Sequence, residues 1–231
     1  MSQAIVPDLT SSAPSPATYF LLRRLHSLTG LVFGGYIIIH LLVNATLTEG
    51  THPDIYQMQV DKIHSLPFLW AIEWVFIYLP IIYHSVYGIW ITFTGRSNVV
   101  AYPFGKNYFY LLQRISAFII VFFVLFHVLA MKGFFSDQLT FVPEQATAST
   151  VRHINAKFWI AYLVYPIGIT ASCFHLANGF WSAAITWGLT ISAGAQNRWG
   201  MVCVALFAFT LICGFLALGA AIHDGSMVVM H

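Results

Sequence analysis

The sequence predicts an all-α polytopic membrane protein of five transmembrane helices, organised as one membrane domain over residues 1–231. Three observations lead there. Charged residues make up only 8% of the chain, against roughly 25% in soluble domains, so polar groups cannot cover a globular surface. Hydrophobic residues make up 58%, and the mean hydropathy is +0.76. Five apolar segments, about 27–47, 66–94, 111–135, 158–189 and 199–222, each reach the length of about 20 residues that a hydrocarbon core requires.

The elements follow in chain order. Residues 1–20, MSQAIVPDLTSSAPSPATYF, lack a basic start and are rich in Ser, Pro and Ala. They read as a flexible cytoplasmic tail, not as a signal peptide. The first span begins after Arg23 and Arg24. The second and fourth spans exceed what a bilayer needs, so they should tilt or project beyond it; Pro80 and Pro166 inside them mark kinks. Trp70, Trp74, Trp159, Trp187 and Trp199 lie near span ends, as interface anchors do. The connections 48–65 and 136–157 are too short for a soluble domain. Cys173, Cys203 and Cys213 all fall in apolar segments and read as packing residues. No CxxCH motif is present for covalent haem attachment. A net charge of +2 without a basic run gives no case for a nucleic-acid partner.

Basic residues in short connections set orientation. One side holds Arg23, Arg24, Arg96, Lys106, Arg114 and Arg198; the other holds Lys62, Lys132, Arg152 and Lys157 with most of the acids. This places the N-terminus in the cytoplasm and the C-terminus outside.

Ten histidines are present. His26, His52, His64, His153, His223 and His231 sit at span ends, in connections or at the terminus, where a solvated or interfacial role is the plain reading. His40, His84, His127 and His175 occur one in each of the first four spans. A single such residue is readily satisfied by a neighbouring hydroxyl or carbonyl. Four of them on four consecutive helices point to function, because ionisable groups at membrane depth are costly and imidazole is a common axial ligand to haem iron.

Depth sorts the four into pairs. His40 is nine residues from Glu49 and His127 five from Lys132, which is roughly 8–14 Å below the outer side. His84 is seventeen residues after Pro67 and His175 eighteen after Lys157, roughly 26–27 Å below it. His40 with His127 suits an outer haem iron and His84 with His175 an inner one. The helices carrying them then form a dihaem-binding bundle, with the fifth helix peripheral. Closely spaced histidine boxes of the non-haem di-iron kind are absent from the sequence. A histidine-based proton channel or transporter calls for carboxylates at depth, and only Glu73 qualifies. Glu73 lies about 16 Å outward of His84 along the same helix, near the level of His40 and His127.

Four segments carry a family resemblance: LLRRLHSLTG (21–30), SLPFLWAIEWVFIYLPIIYHSVYGIWITFTG (65–95), LLQRISAFIIVFFVLFHV (111–128) and FHLANGFWSAAITWG (174–188). Together they resemble the cytochrome b membrane anchors of succinate dehydrogenase and fumarate reductase, in the single-subunit, five-helix, dihaem class. The resemblance implies two haems b with the ligand pairs named above. It implies haem propionates held near Arg24, His26, Ser27, Gln113 and Arg114, where a guanidinium suits a carboxylate.

It also implies partners: a flavoprotein (FAD) subunit and an iron–sulfur subunit docked on the cytoplasmic face, within a prokaryotic inner membrane. Such complexes can assemble into oligomers of heterotrimers. The chain itself would hold no succinate site. It would carry electrons from the iron–sulfur subunit through two b haems to quinone, in this class generally menaquinone. A dihaem anchor of another quinone-linked oxidoreductase shares the same parts.

Overall fold

Ser15 and Pro16 open the first helix. The Ser15 hydroxyl accepts the Thr18 N–H at 3.2 Å, and proline is at home in a first helical turn, where no N–H is needed. Helix α1 then runs Pro16–Ala45, taking in residues 16–20 that composition had assigned to the tail. The computed structural model describes residues 15–48, 55–95, 100 and 103–229. Residues 1–14, Glu49, His52, Asp54, Arg96 and His231 lie outside the described residues.

Four further helices are long and apolar enough to cross a membrane: α3 (Leu69–Thr94), α4 (Gly105–Met131), α6 (Ile160–Thr186) and α7 (Ala193–Val229). Two short helices, α2 (Ile55–His64) and α5 (Ala146–Asn155), lie in the connections between spans. Among the described residues there is no strand.

The two prolines expected to mark kinks share one local form. A π-helical turn, Trp74–Tyr78 in α3 and Ile160–Val164 in α6, precedes Pro80 and Pro166 respectively. The Leu79 N–H reaches back to Trp74 and the Tyr165 N–H to Ile160, each one residue further than an α-helical bond. The wide turn absorbs the hydrogen bond that the following proline cannot make. At the far end of α6, Gly188 takes φ +74° and its neighbour Leu189 donates to the Ala184 carbonyl at 2.8 Å. This left-handed closure is the role of the glycine in TWG.

Around the bundle α3 packs on α1, α1 on α6, α6 on α4 and α4 on α3. The helices α1 and α4 therefore face each other across the centre, as do α3 and α6. Half of the apolar window of α6 is buried, against 6% for α1 and 11% each for α3 and α4, so α6 is the central element. Helix α7 lies outside the four histidine-bearing helices but is firmly seated against α6 and α1: a Cβ on Gly214 would come within 2.6 Å of Ile169. At one end α2 and α5 form a cap. The Tyr56 hydroxyl meets Thr150 at 3.1 Å, and the Gln57 amide donates to the Pro143 carbonyl at 2.7 Å and accepts from the Ala146 N–H at 2.6 Å. Beneath it the main apolar core gathers Val60, Ile154, Ile160, Ile169 and Leu218.

Gly168 brings α6 close to α4, because a Cβ there would lie 2.3 Å from the Phe123 ring. That ring is boxed by His127 on one side and Tyr165 on another. Gly168→Ala is expected to lower stability in detergent by about 1–3 kcal/mol through overpacking. Gly35→Ala, with nothing within 4 Å of the added carbon, should cost nothing and serves as the control in the same thermal melts.

Candidate functional site

The centre of the bundle holds a cavity of about 550 Å³, a size typical of small-molecule and cofactor sites. His84 of α3 and His175 of α6 line it from opposite helices. Their ring centres are 6.1 Å apart and their planes lie at 87°. His84 donates Nδ1–H to the His26 carbonyl at 3.0 Å, and His175 donates Nδ1–H to the Gln113 carbonyl at 3.2 Å with the Ser116 hydroxyl also 3.2 Å away. Glycine allows the close approach on the α1 side: a Cβ on Gly30 would be 2.5 Å from His84 Cε1. His26 stacks on His84 with centres 4.1 Å apart and planes 9° from parallel, and its Nδ1 is buried without a partner.

The second pair joins α1 to α4. His40 and His127 have ring centres 6.0 Å apart at 77°. The Tyr36 hydroxyl stands 3.4 Å from His40 Nδ1, a long contact, whereas the Tyr165 hydroxyl is 2.8 Å from His127 Nδ1. Tyr165 also lies 2.8 Å from His153 Nε2, and His153 donates Nδ1–H to the Leu139 carbonyl at 2.8 Å. Asn44 donates to the His40 carbonyl at 2.7 Å.

The donor chemistry of these residues fits haem. With metal–imidazole bonds of about 2 Å, two imidazoles on opposite sides of one metal have ring centres ~6 Å apart, and both pairs show that spacing. Every hydrogen bond made by the four rings among the described residues uses Nδ1, which leaves Nε2 as the donor atom. Partners that hold the other ring nitrogen are a regular feature of metal-binding histidine. No group of three or more His, Cys, Asp or Glu gathers among the described residues. Each pair offers two neutral imidazole nitrogens and, among the described residues, no further side-chain ligand of these types.

The residues matched to haem propionates divide. His26, Ser27 and Gln113 line the cavity, as does Arg23, which sequence had not singled out. Gln113 also ties α4 to α6, donating to the His175 carbonyl at 3.1 Å and accepting from Asn178 at 2.8 Å. Ser27 accepts from the Trp187 indole at 3.0 Å. Arg24 lies off the cavity, its guanidinium 4.8 Å from the Trp187 ring centre. Arg114 turns to the carbonyl end of α3, bonding Thr92 and, at 2.9 Å, Gly95. Glu73 sits half-buried on the turn leading into the π-helical segment of α3.

His153 corrects the sequence reading. It was grouped with the solvated or interfacial histidines and is fully buried. A signal existed: Ala146, Ser149, Thr150, His153 and Ile154, all buried, follow the i, i+3, i+4, i+7, i+8 stripe of a one-sided helix. Apart from Ile154 its members are small or polar, so the mean hydropathy of the segment is low and a search for apolar runs passes over it.

No family model matches the chain. A relative does: the chain is 32% identical over 205 residues to the succinate dehydrogenase cytochrome b558 subunit of Bacillus subtilis (strain 168), a match covering 87% of this chain and 96% of that protein. With two histidine pairs inside a five-span helical bundle and a likeness that runs nearly end to end, the chain belongs to the succinate dehydrogenase cytochrome b subunit family.

Proposed function

We propose that the chain is the membrane anchor of a succinate:quinone oxidoreductase, holding two b haems between a cytoplasmic iron–sulfur subunit and a quinone, in this class menaquinone. The observation that carries this reading is the double pairing of histidines across the bundle, with ring centres 6.0 Å apart in one pair and 6.1 Å in the other. A haem bound there would supply one-electron transfer. The chain's own residues would do the rest: His40 and His127 would hold one iron and His84 and His175 the other, with apolar walls keeping water from both.

Charge at the cavity rim supports the placement of the propionates. Arg23, His26, Ser27 and Gln113 line the inner site, and Arg23 with the buried, unpartnered Nδ1 of His26 offers donors to a carboxylate there. Arg24 and Arg114 border this region and steady its walls, through Trp187 and through the end of α3. The flavoprotein and iron–sulfur subunits dock on the face carrying Arg23, Arg24 and Arg198, the cytoplasmic side of a prokaryotic inner membrane. Glu73, near the opposite side, exchanges protons with the quinone.

Two outcomes test this reading. The purified assembly should show a b-type reduced-minus-oxidised spectrum with two haems per chain. His40→Ala or His127→Ala should remove one haem and leave the other, and His84→Ala or His175→Ala should do the converse; a wild-type chain without an α-band sinks the reading. Glu73→Gln should keep both haems while quinone reduction slows by about 100-fold, the low end for a lost acid–base group. An undiminished rate in Glu73→Gln would remove that residue from the mechanism.

A further inference from the structure

His127 is held differently from the other ligand histidines. The Nδ1 atoms of His84 and His175 rest on backbone carbonyls, and that of His40 has only a long contact to Tyr36. His127 instead begins a side-chain relay that crosses from α4 through α6 to the cap helix α5, ending on a backbone carbonyl.

The direction of that relay can be worked out from its end. The Leu139 oxygen only accepts, so the His153 Nδ1 that lies 2.8 Å from it carries the hydrogen. Burial pushes the His153 imidazole below its usual pKa range, with the Leu139 bond opposing in smaller measure, so the ring is neutral and Nε2 has a lone pair. The Tyr165 hydroxyl, 2.8 Å from Nε2, therefore donates to His153. Having placed its one hydrogen there, the Tyr165 oxygen accepts from His127 Nδ1 at 2.8 Å. That leaves Nε2 of His127 without a hydrogen and free for a metal.

The geometry points to Tyr165 and His153 as a positioning pair that fixes the metal-binding tautomer of His127, holds its ring nearly perpendicular to His40, and makes it the more basic of the two ligands. This inference rests on the reading of His40 and His127 as axial haem ligands. A hydrogen bond accepted from the far nitrogen of a ligand imidazole raises its basicity, and second-shell hydrogen bonding is one of the protein's controls on haem potential. A Tyr165 oxygen that is itself donating to His153 is a stronger acceptor, because bonds in a chain polarise one another. Phe123, stacked on His127 at 25° and edge-on to Tyr165, keeps both rings in register. The result is a His40–His127 haem with a lowered midpoint potential.

Potentiometric titration and electron paramagnetic resonance of the assembled complex test it, with the variants Tyr165→Phe, His153→Gln and His153→Leu. Tyr165→Phe should keep both haems, move the midpoint of the His40–His127 haem upward and shift its low-spin ferric signal, with the His84–His175 haem unmoved. His153→Gln, whose Oε1 can accept from Tyr165, should hold the wild-type midpoint. His153→Leu should move it in the same direction as Tyr165→Phe, by less. An unmoved midpoint and signal in Tyr165→Phe overturn the inference, as do equal midpoints in the two His153 variants. Should Tyr165→Phe fail to assemble, the two His153 variants decide alone. Absence of haem from the wild-type complex would overturn the underlying reading instead.

Discussion

A neutral imidazole inside hydrocarbon carries one hydrogen and one lone pair, and leaving such a buried polar group unmatched costs about 1–3 kcal/mol. The bundle is arranged around meeting half of that demand with protein and leaving the other half open. For His84 and His175 the acceptors are the carbonyls of His26 and Gln113, which lie on helices adjacent to those carrying the histidines. Backbone carbonyls inside a helix are normally occupied by the helix itself, but each oxygen has a second lone pair. Helices α1 and α4 must therefore run close beside α3 and α6 at these levels. Gly30 answers that requirement on α1, since any side chain there would occupy the place of the His84 ring.

The diagonal placement of the pairs follows from the same geometry. Adjacent helices are close enough to exchange hydrogen bonds, as Tyr83 does with the Leu22 carbonyl at 3.1 Å. Two imidazoles with ring centres about 6 Å apart and both Nε2 atoms free need the wider gap across the centre. The ring order α3, α1, α6, α4 supplies that gap twice, once for α1 with α4 and once for α3 with α6. The two π-helical turns lie in the two helices that share the inner pair. Each adds an extra residue to its turn before the helix descends to His84 or His175, and so sets the angular position of those rings.

Much of this was legible in the sequence because the informative residues contrast with their surroundings. A histidine flanked by Ile and Leu stands out by type alone, and depth counting along alternating helices needs only the rise per residue. The structure brings together the same residues that depth had paired. What stayed hidden depends on direction. Arg23 and Arg24 are neighbours in sequence near one membrane surface, yet the helix turns one toward the cavity and the other onto Trp187. Arg114 lies at a similar level and is drawn off by the free carbonyls at the end of α3. His153 was missed for a different reason: a cap helix buries its inner face against protein, so mostly small and polar residues serve there and the trace is a periodicity, not an apolar run.

The two sites consequently differ in what can adjust them. His84 and His175 lean on main-chain oxygens, whose position and basicity change little with the side chains around them. At the other pair, His40 has only a long contact to Tyr36 while His127 leans on a tyrosine and a histidine reached through three helices. A substitution at His153 in the α5 cap can therefore reach the His127 ring from outside the spans. Substitutions near His84 and His175 act mainly by displacing a helix. The α5 cap gives one of the two pairs a separate hold, by anchoring His153 to Leu139 outside the spans.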